Sequence, residues 1–240
     1  MTALKASWLK FNRLNPNNVI AKELLNTEFV PLAPDSKLSA ALAKMDAWQT
    51  TRIPVKDPVT GKLAGMISFE DIADKADESA EISSVEFHNS IYVYSDQHLF
   101  EVARKMLEFE VRLLPVVDGS GVYLGIIEKK DVLEAFSRML NITTTGSVIT
   151  VEVTKEDFTI SELVHLIEVE GAKILGLTVD QPRVEDQMIR ISIKISHIDT
   201  SAVVSSLQRH GYHTTTENRN DLFQTDISSR ADELLRYLDV

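Results

Sequence analysis

The chain has 240 residues, 44% hydrophobic and 25% charged, a composition that suits an ordinary globular protein of one large or two smaller domains, and two are expected. A formal net charge of −11 without a basic run repels a phosphate backbone, which argues against nucleic acid as a general partner, and no window approaches the roughly 20 apolar residues of a membrane span. With no cysteine, disulfides, thiolate metal sites and thiol nucleophiles are excluded, and the lack of a continuous apolar stretch at the N-terminus points to a cytoplasmic protein.

In residues 1–19, Leu4, Trp8, Phe11 and Leu14 align on one helix face. This amphipathic segment is expected to pack on the rest of the chain rather than on a membrane.

An internal repeat follows. Arg52-Ile53-Pro54-Val55-Lys56-Asp57 recurs in form as Leu113-Leu114-Pro115-Val116-Val117-Asp118, and Gly65-Met66-Ile67 as Gly125-Ile126-Ile127. Pro54 to Pro115 is a step of 61 residues and Asp71 to Asp131 a step of 60, so one residue has been lost in the intervening turn. Upstream, Leu38 answers Leu99 and Met45 answers Met106.

Each unit, residues 20–78 and 79–140, reads as a short strand, a helix, two strands and a second helix. Leu38, Ala41, Leu42 and Met45 fall at helical spacing, with Asp35 or Ser36 available as N-cap. Asp57 to Gly61 and Asp118 to Gly121 are turns, and the closing helices start at Ser68 to Asp71 and at Glu128 to Asp131. Two such units each leave an apolar sheet face uncovered, so they are expected to pack on one another with pseudo-twofold symmetry.

This order resembles the CBS repeat: an apolar residue, Pro-Val, a turn, Gly with two apolar residues, then Ser, Thr or a substitute three residues before Asp. The resemblance covers roughly residues 20 to 140 and implies two clefts that take adenosine-containing ligands such as AMP, ADP, ATP or S-adenosylmethionine. In the first cleft it implies that Asp71 accepts from the ribose hydroxyls, Ser68 and Arg52 face a phosphate, and the backbone around Phe29, Val30, Ile53 and Pro54 sandwiches adenine. Ser68 and Asp71 also fit a plain helix cap. The second cleft would use Leu114, Pro115 and Asp131, but Glu128 stands there in the hydroxyl position. A carboxylate beside a phosphate costs Coulomb energy unless a cation or proton offsets it. Arg112 suits either cleft, or a surface or dimer contact.

Residues 141–146 read as a linker, and residues 147–217 as strand, helix, strand, strand, helix, strand, a ferredoxin-like plan. With Gly171-Ala172 after its first helix, this part resembles the ACT domain. That resemblance implies an amino-acid site near Gly171 and Ala172, although Gly171 alone fits a helix C-cap. In the tail, residues 218–240, Ile227, Leu234, Leu235 and Leu238 suggest a short helix that docks on a second subunit. The resulting fold class is α/β (α+β): a CBS-pair module with pseudo-twofold symmetry plus a ferredoxin-like ACT domain. The whole order resembles the AcuB family of acetoin-utilisation accessory proteins.

No HExxH or G-x-S-x-G motif occurs, and Gly119, Gly121 and Gly125 lie in and after a hairpin turn with no helix opening behind them. A non-enzyme without a required cofactor or metal is therefore expected. It would be a homodimeric regulator that senses an adenosyl ligand and acts on a partner protein, or else a dimeric scaffold with vestigial clefts.

Overall fold

The chain is described by a computed structural model over residues 19–73, 75, 77–86, 91–180 and 188–216. The N-terminal stripe Leu4 to Leu14 and the tail 218–240 lie outside the described residues. In the first repeat, β1 (Arg52–Lys56) and β2 (Leu63–Ser68) form an antiparallel hairpin with Arg52 opposite Ser68 and Ile53 opposite Ile67. α1 (Leu38–Ala47) lays Leu38, Ala41 and Met45 on it, and α2 (Phe69–Ala73) adds Ile72. The second repeat has β3 (Val93–Tyr94), α3 (Leu99–Glu108), β4 (Leu113–Val117), β5 (Tyr123–Glu128) and α4 (Lys129–Met139). β3 runs parallel to β4 with Val93 opposite Val116; in the first repeat the equivalent strand is a single parallel bridge, Leu32 to Val55.

The start of α1 corrects the capping expectation. Its cap is Lys37, with no side-chain hydrogen bond, and Ser36 Oγ instead accepts from the Ala33 N–H at 3.2 Å. The N–H groups of Leu38 and Ser39 donate at 2.9 Å to the carbonyls of Ala80 and Glu78. Carbonyls from the segment leading into the second repeat thus do the work of a capping side chain.

The same bonds recur with the repeats exchanged. Leu99 donates to the Val19 carbonyl, as Leu38 does to Ala80, and Ala21 and Lys22 donate to Gln97 and Ser95, as Ile82 and Ser83 do to Ser36 and Pro34. Each repeat is therefore entered by a segment fixed to the other, and the pseudo-twofold relation follows from that exchange. The cores are shared accordingly: Leu113, Tyr123 and Ile126 join Phe29, Leu38 and Ile53, while Ala21 and Leu24 join Val102, Met106 and Leu114.

Tyr123 is 8% exposed, and among the described residues its hydroxyl has no hydrogen-bond partner. Burial pushes its ionisation well above the ordinary phenol range. An unsatisfied buried hydroxyl is costly, so Tyr123→Phe should stabilise the protein by about 1 kcal/mol in denaturant melts. Because the fold favours the neutral phenol, the parent's stability from this group is intact below pH about 10 and declines as pH rises further. The variant should lack that alkaline decline.

By its internal contacts the chain divides after Phe136. The second unit contains β6 (Ser147–Thr154), α5 (Ile160–Val169), β7 (Ile174–Asp180), β8 (Met188–Ile195), α6 (Ser201–Arg209) and β9 (His213–Thr216). Its sheet order is β7-β8-β6-β9 with every neighbour antiparallel, the ferredoxin-like arrangement. Strict alternation along β6 turns Ile149, Val151 and Val153 toward Leu163, Ile167, Val203 and Leu207 of the helices. The segment read as a linker is bound to this sheet: Asn141 Nδ2 donates to the Leu175 carbonyl at 2.7 Å, and Lys194 Nζ donates to the Ile142 carbonyl at 2.8 Å. Among the described residues no helix is long and apolar enough to cross a membrane.

Candidate functional site

Alternation along the first hairpin puts Arg52, Pro54, Met66 and Ser68 on one face and Ile53, Val55 and Ile67 on the other. The second set joins the core under α1. At the end of the first face, the chain turns directly into α2. The Ser68 N–H donates to Asp71 Oδ2 at 2.7 Å, and the Asp71 N–H donates to Ser68 Oγ at 3.2 Å. This reciprocal pair is a capping box, and it holds a carboxylate and a hydroxyl side by side at the strand end. Thr50, 8% exposed, fixes the strand entry: its Oγ1 donates to the Arg52 carbonyl at 3.1 Å and accepts from the Arg52 N–H at 3.4 Å.

Arg52, Pro54, Ser68 and Asp71 are thus brought to one strand-and-helix junction, but the side chains of Phe29 and Ile53 are not. Ile53 is fully buried, and Phe29, 2% exposed, stands edge-on to Trp48 at 4.8 Å with Lys44 Nζ 5.0 Å from its ring. Only their backbones remain for a flat ligand. Val30 is 67% exposed, and its carbonyl accepts from Lys44 Nζ.

In the second repeat the same alternation groups Leu113, Pro115, Ile126 and Glu128, while Leu114 faces its own repeat's core. Leu113 and Ile126 enter the first repeat's core, so this face is turned toward the other repeat. The Glu128 N–H donates to Asp131 Oδ2 at 3.3 Å, repeating half of the capping box. The Glu128 carboxylate is held by Asn26 Nδ2 at 2.9 Å and Lys130 Nζ at 2.8 Å. Lys130 is therefore a cation that offsets the Glu128 charge. Asn26 arrives by pairing with β5, exchanging N–H to carbonyl bonds with Ile126 at 2.7 and 3.0 Å. Lys130 was legible as the cation two residues after Glu128; Asn26, 102 residues away, had no local signal. Arg112 Nη1 donates to the Gln49 carbonyl at 2.9 Å and so ties the second repeat to the end of α1.

Burial raises the Asp131 carboxyl, the Glu128 N–H bond opposes that rise, and the Glu128 charge adds to it. A raised folded-state value means that this group favours the fold below its ordinary carboxylate range and loses that contribution as pH rises through the raised value. Asp131→Asn keeps an acceptor for the Glu128 N–H and removes the charge. Its melting temperature should exceed the parent's at pH 7, with the gap closing below pH 3.8, the ordinary aspartate value. A gap that persisted under acid conditions would assign the gain to packing instead.

In the second unit Gly171 has φ +80°, and its N–H donates to the Glu168 carbonyl at 3.0 Å, so it ends α5. Ala172, 2% exposed, is in the core and offers no side chain to a ligand. A cleft of about 460 Å³ is lined elsewhere, by Glu152, Glu156, Asp157, Glu162, Tyr212 and His213 among others. The Tyr212 hydroxyl there is pushed up to about 12 by burial and by its bond to Glu162.

Residues 21–78 and 82–138 match the family model of the CBS domain. The homoserine O-acetyltransferase of Methanococcus vannielii is 26% identical over 118 residues, which are 47% of this chain and 24% of that protein. The magnesium transporter MgtE of Thermus thermophilus is 35% identical over 74 residues, 31% of this chain and 16% of the transporter. The chain thus spans a quarter or less of these two curated relatives. A solved CBS domain pair/ACT domain protein of Thermotoga maritima is 24% identical, with 49% of this chain and 95% of that chain covered at a TM-score of 0.45.

Proposed function

We propose, from the premise that residues 21–78 and 82–138 are a tandem pair of CBS domains, that this chain is a non-catalytic sensor of an adenosine-containing ligand. The observation that carries the reading is the Ser68–Asp71 pair, joined by hydrogen bonds of 2.7 and 3.2 Å at the strand end where Arg52 stands opposite Ser68. A ribose diol presents two donors to the Asp71 carboxylate, and a phosphate takes the Ser68 hydroxyl and the Arg52 guanidinium. AMP, ADP, ATP and S-adenosylmethionine all contain the ribose, and the first three also use the anion contacts. Ligand differences between two arrangements of the repeats would then be passed to the ferredoxin-like, ACT-like unit or to a regulated partner protein in a homodimer. The order of parts agrees with an accessory regulator of the AcuB kind.

At the second motif, Lys130 offsets the Glu128 charge and Asn26 donates to the same carboxylate, so that carboxylate already has protein partners, and the reading takes the Asp71 end as the ligand's first site. A panel of AMP, ADP, ATP, S-adenosylmethionine and amino acids tests the reading by thermal shift and calorimetry. One adenosyl compound at a hundredfold excess over its Kd should add about 2.7 kcal/mol of stability, with one equivalent bound per chain and no turnover. Silence across the panel from a stable dimer would favour a scaffold with vestigial clefts, and turnover would sink the non-catalytic reading.

A further inference from the structure

Lys44 and Lys105 precede Met45 and Met106 in the last turns of α1 and α3, so they hold the same place in the two repeats. Each holds a backbone carbonyl of the segment that enters its own repeat and lies near an aromatic ring there. Lys44 Nζ donates to the Val30 carbonyl and is 5.0 Å from the Phe29 ring centre; Lys105 Nζ donates to the Tyr92 carbonyl at 2.7 Å and is 5.6 Å from the Tyr92 ring centre. The carbonyl and the ring face compensate an ammonium for part of its lost hydration. Burial holds Lys44 below the ordinary lysine range.

In the first repeat this carbonyl belongs to a span between two anchors. Asn26 exchanges bonds with Ile126 of β5, and Leu32 is fixed to β1, its N–H donating to the Pro54 carbonyl at 3.2 Å and its carbonyl accepting from the Lys56 N–H at 2.8 Å. Val30 precedes Pro31, whose ring disfavours the helical region for the residue before it and keeps Val30 extended. Two extended residues cover about 6–7 Å. Running back from the parallel Leu32–Val55 bridge, they bring Val30 alongside the Arg52–Ile53 end of β1. Phe29 is 2% exposed and Val30 67%, so the span turns its ring into the core and leaves an apolar side chain open beside Arg52.

We infer that Lys44 is a positioning residue for the base of the ligand: by holding the Val30 carbonyl it fixes the Phe29–Val30 backbone as one wall of the place where the base lies. The inference rests on the adenosine reading and adds to it a residue on α1, outside the strand-and-helix junction. Without this bond Val30 moves more freely between its anchors, and the base must order that wall on binding. The ribose and phosphate contacts of Asp71, Ser68 and Arg52 are carried by α2, β2 and β1 and stay in place.

Calorimetry with two probes separates the parts of the ligand, because AMP carries base, ribose and phosphate whereas ribose 5-phosphate lacks the base. Lys44→Met keeps an unbranched stem near Phe29 and removes the donor, so it should weaken AMP about tenfold and leave ribose 5-phosphate within about twofold. Lys44→Arg restores a donor and should recover most of the AMP affinity. Lys105→Met removes the equivalent bond of the second repeat, so it should lower the unliganded melting temperature much as Lys44→Met does and leave AMP binding unchanged. A parent that binds neither probe defeats the adenosine reading and this inference with it. A parent that binds AMP no more tightly than Lys44→Met does overturns the inference alone. So does an equal loss for both probes, or an equal loss of AMP binding in Lys105→Met, since either would make the lysines general supports of the repeats.

Discussion

Gly125→Ala is expected to destabilise the paired repeats by about 3 kcal/mol, from backbone strain and overpacking together. Gly125 has φ +154°, and a Cβ there would stand 2.7 Å from the Asn26 carbonyl oxygen and 3.1 Å from the Leu25 side chain. That carbonyl is the acceptor for the Ile126 N–H, so the clash pushes away the strand that brings Asn26 to Glu128. Gly146→Ala should act similarly on the second unit, where φ is +149° and the new Cβ would meet the Ile195 carbonyl oxygen at 2.1 Å. Gly119→Ala is the control, since φ there lies outside the left-handed range and nothing is within 4 Å of its Cβ position. At about 2–4 °C per kcal/mol for a chain of this size, the first substitution should lower the melting temperature by roughly 6–12 °C. Hydrogen exchange should locate the loss around β5 for Gly125 and around β8 for Gly146. A Gly125 variant as stable as Gly119→Ala would mean that the Leu25–Asn26 strand is not bound to β5.

The repeat was legible because its signals are local: the alternation around Pro54 and Pro115, the turns that follow, and the helical spacing from Leu38 and Leu99. The ferredoxin-like order was legible for the same reason: the alternation along β6 and β8 is local. The exchange of lead-in segments was not, because an acceptor such as the Ala80 carbonyl has no side-chain signature. Asp35 and Ser36 looked like caps only because the competing backbone acceptors come from 40 residues further on. The Phe29 ring packs edge-on against Trp48 in the core, a long-range contact without a local signal, and leaves its backbone for the adenine role that the resemblance implies. At the Asp71 end, the residue corresponding to Asn26 at the 61-residue step is Phe87, which lies outside the described residues.

Asp71→Ala should lower the affinity for the adenosyl ligand by at least tenfold, because it removes the acceptor for two ribose hydroxyls, and hydrogen bonds to a charged group contribute about 1.5–3 kcal/mol each. The substitution also breaks the capping box, so the free protein should lose about 1 kcal/mol of stability. The two effects separate in one pair of measurements, the unliganded melting temperature and the calorimetric Kd. Ser68→Ala removes the hydroxyl that accepts from the Asp71 N–H but leaves the carboxylate, so it should cost similar stability and less ribose affinity. Asp131→Ala should barely change the affinity if the ligand is confined to the first end. An Asp71→Ala protein that melts lower yet binds as tightly as the parent would make the carboxylate a helix cap alone, and the ligand would then have to be sought at Asp131, where Lys130 already offsets the Glu128 charge.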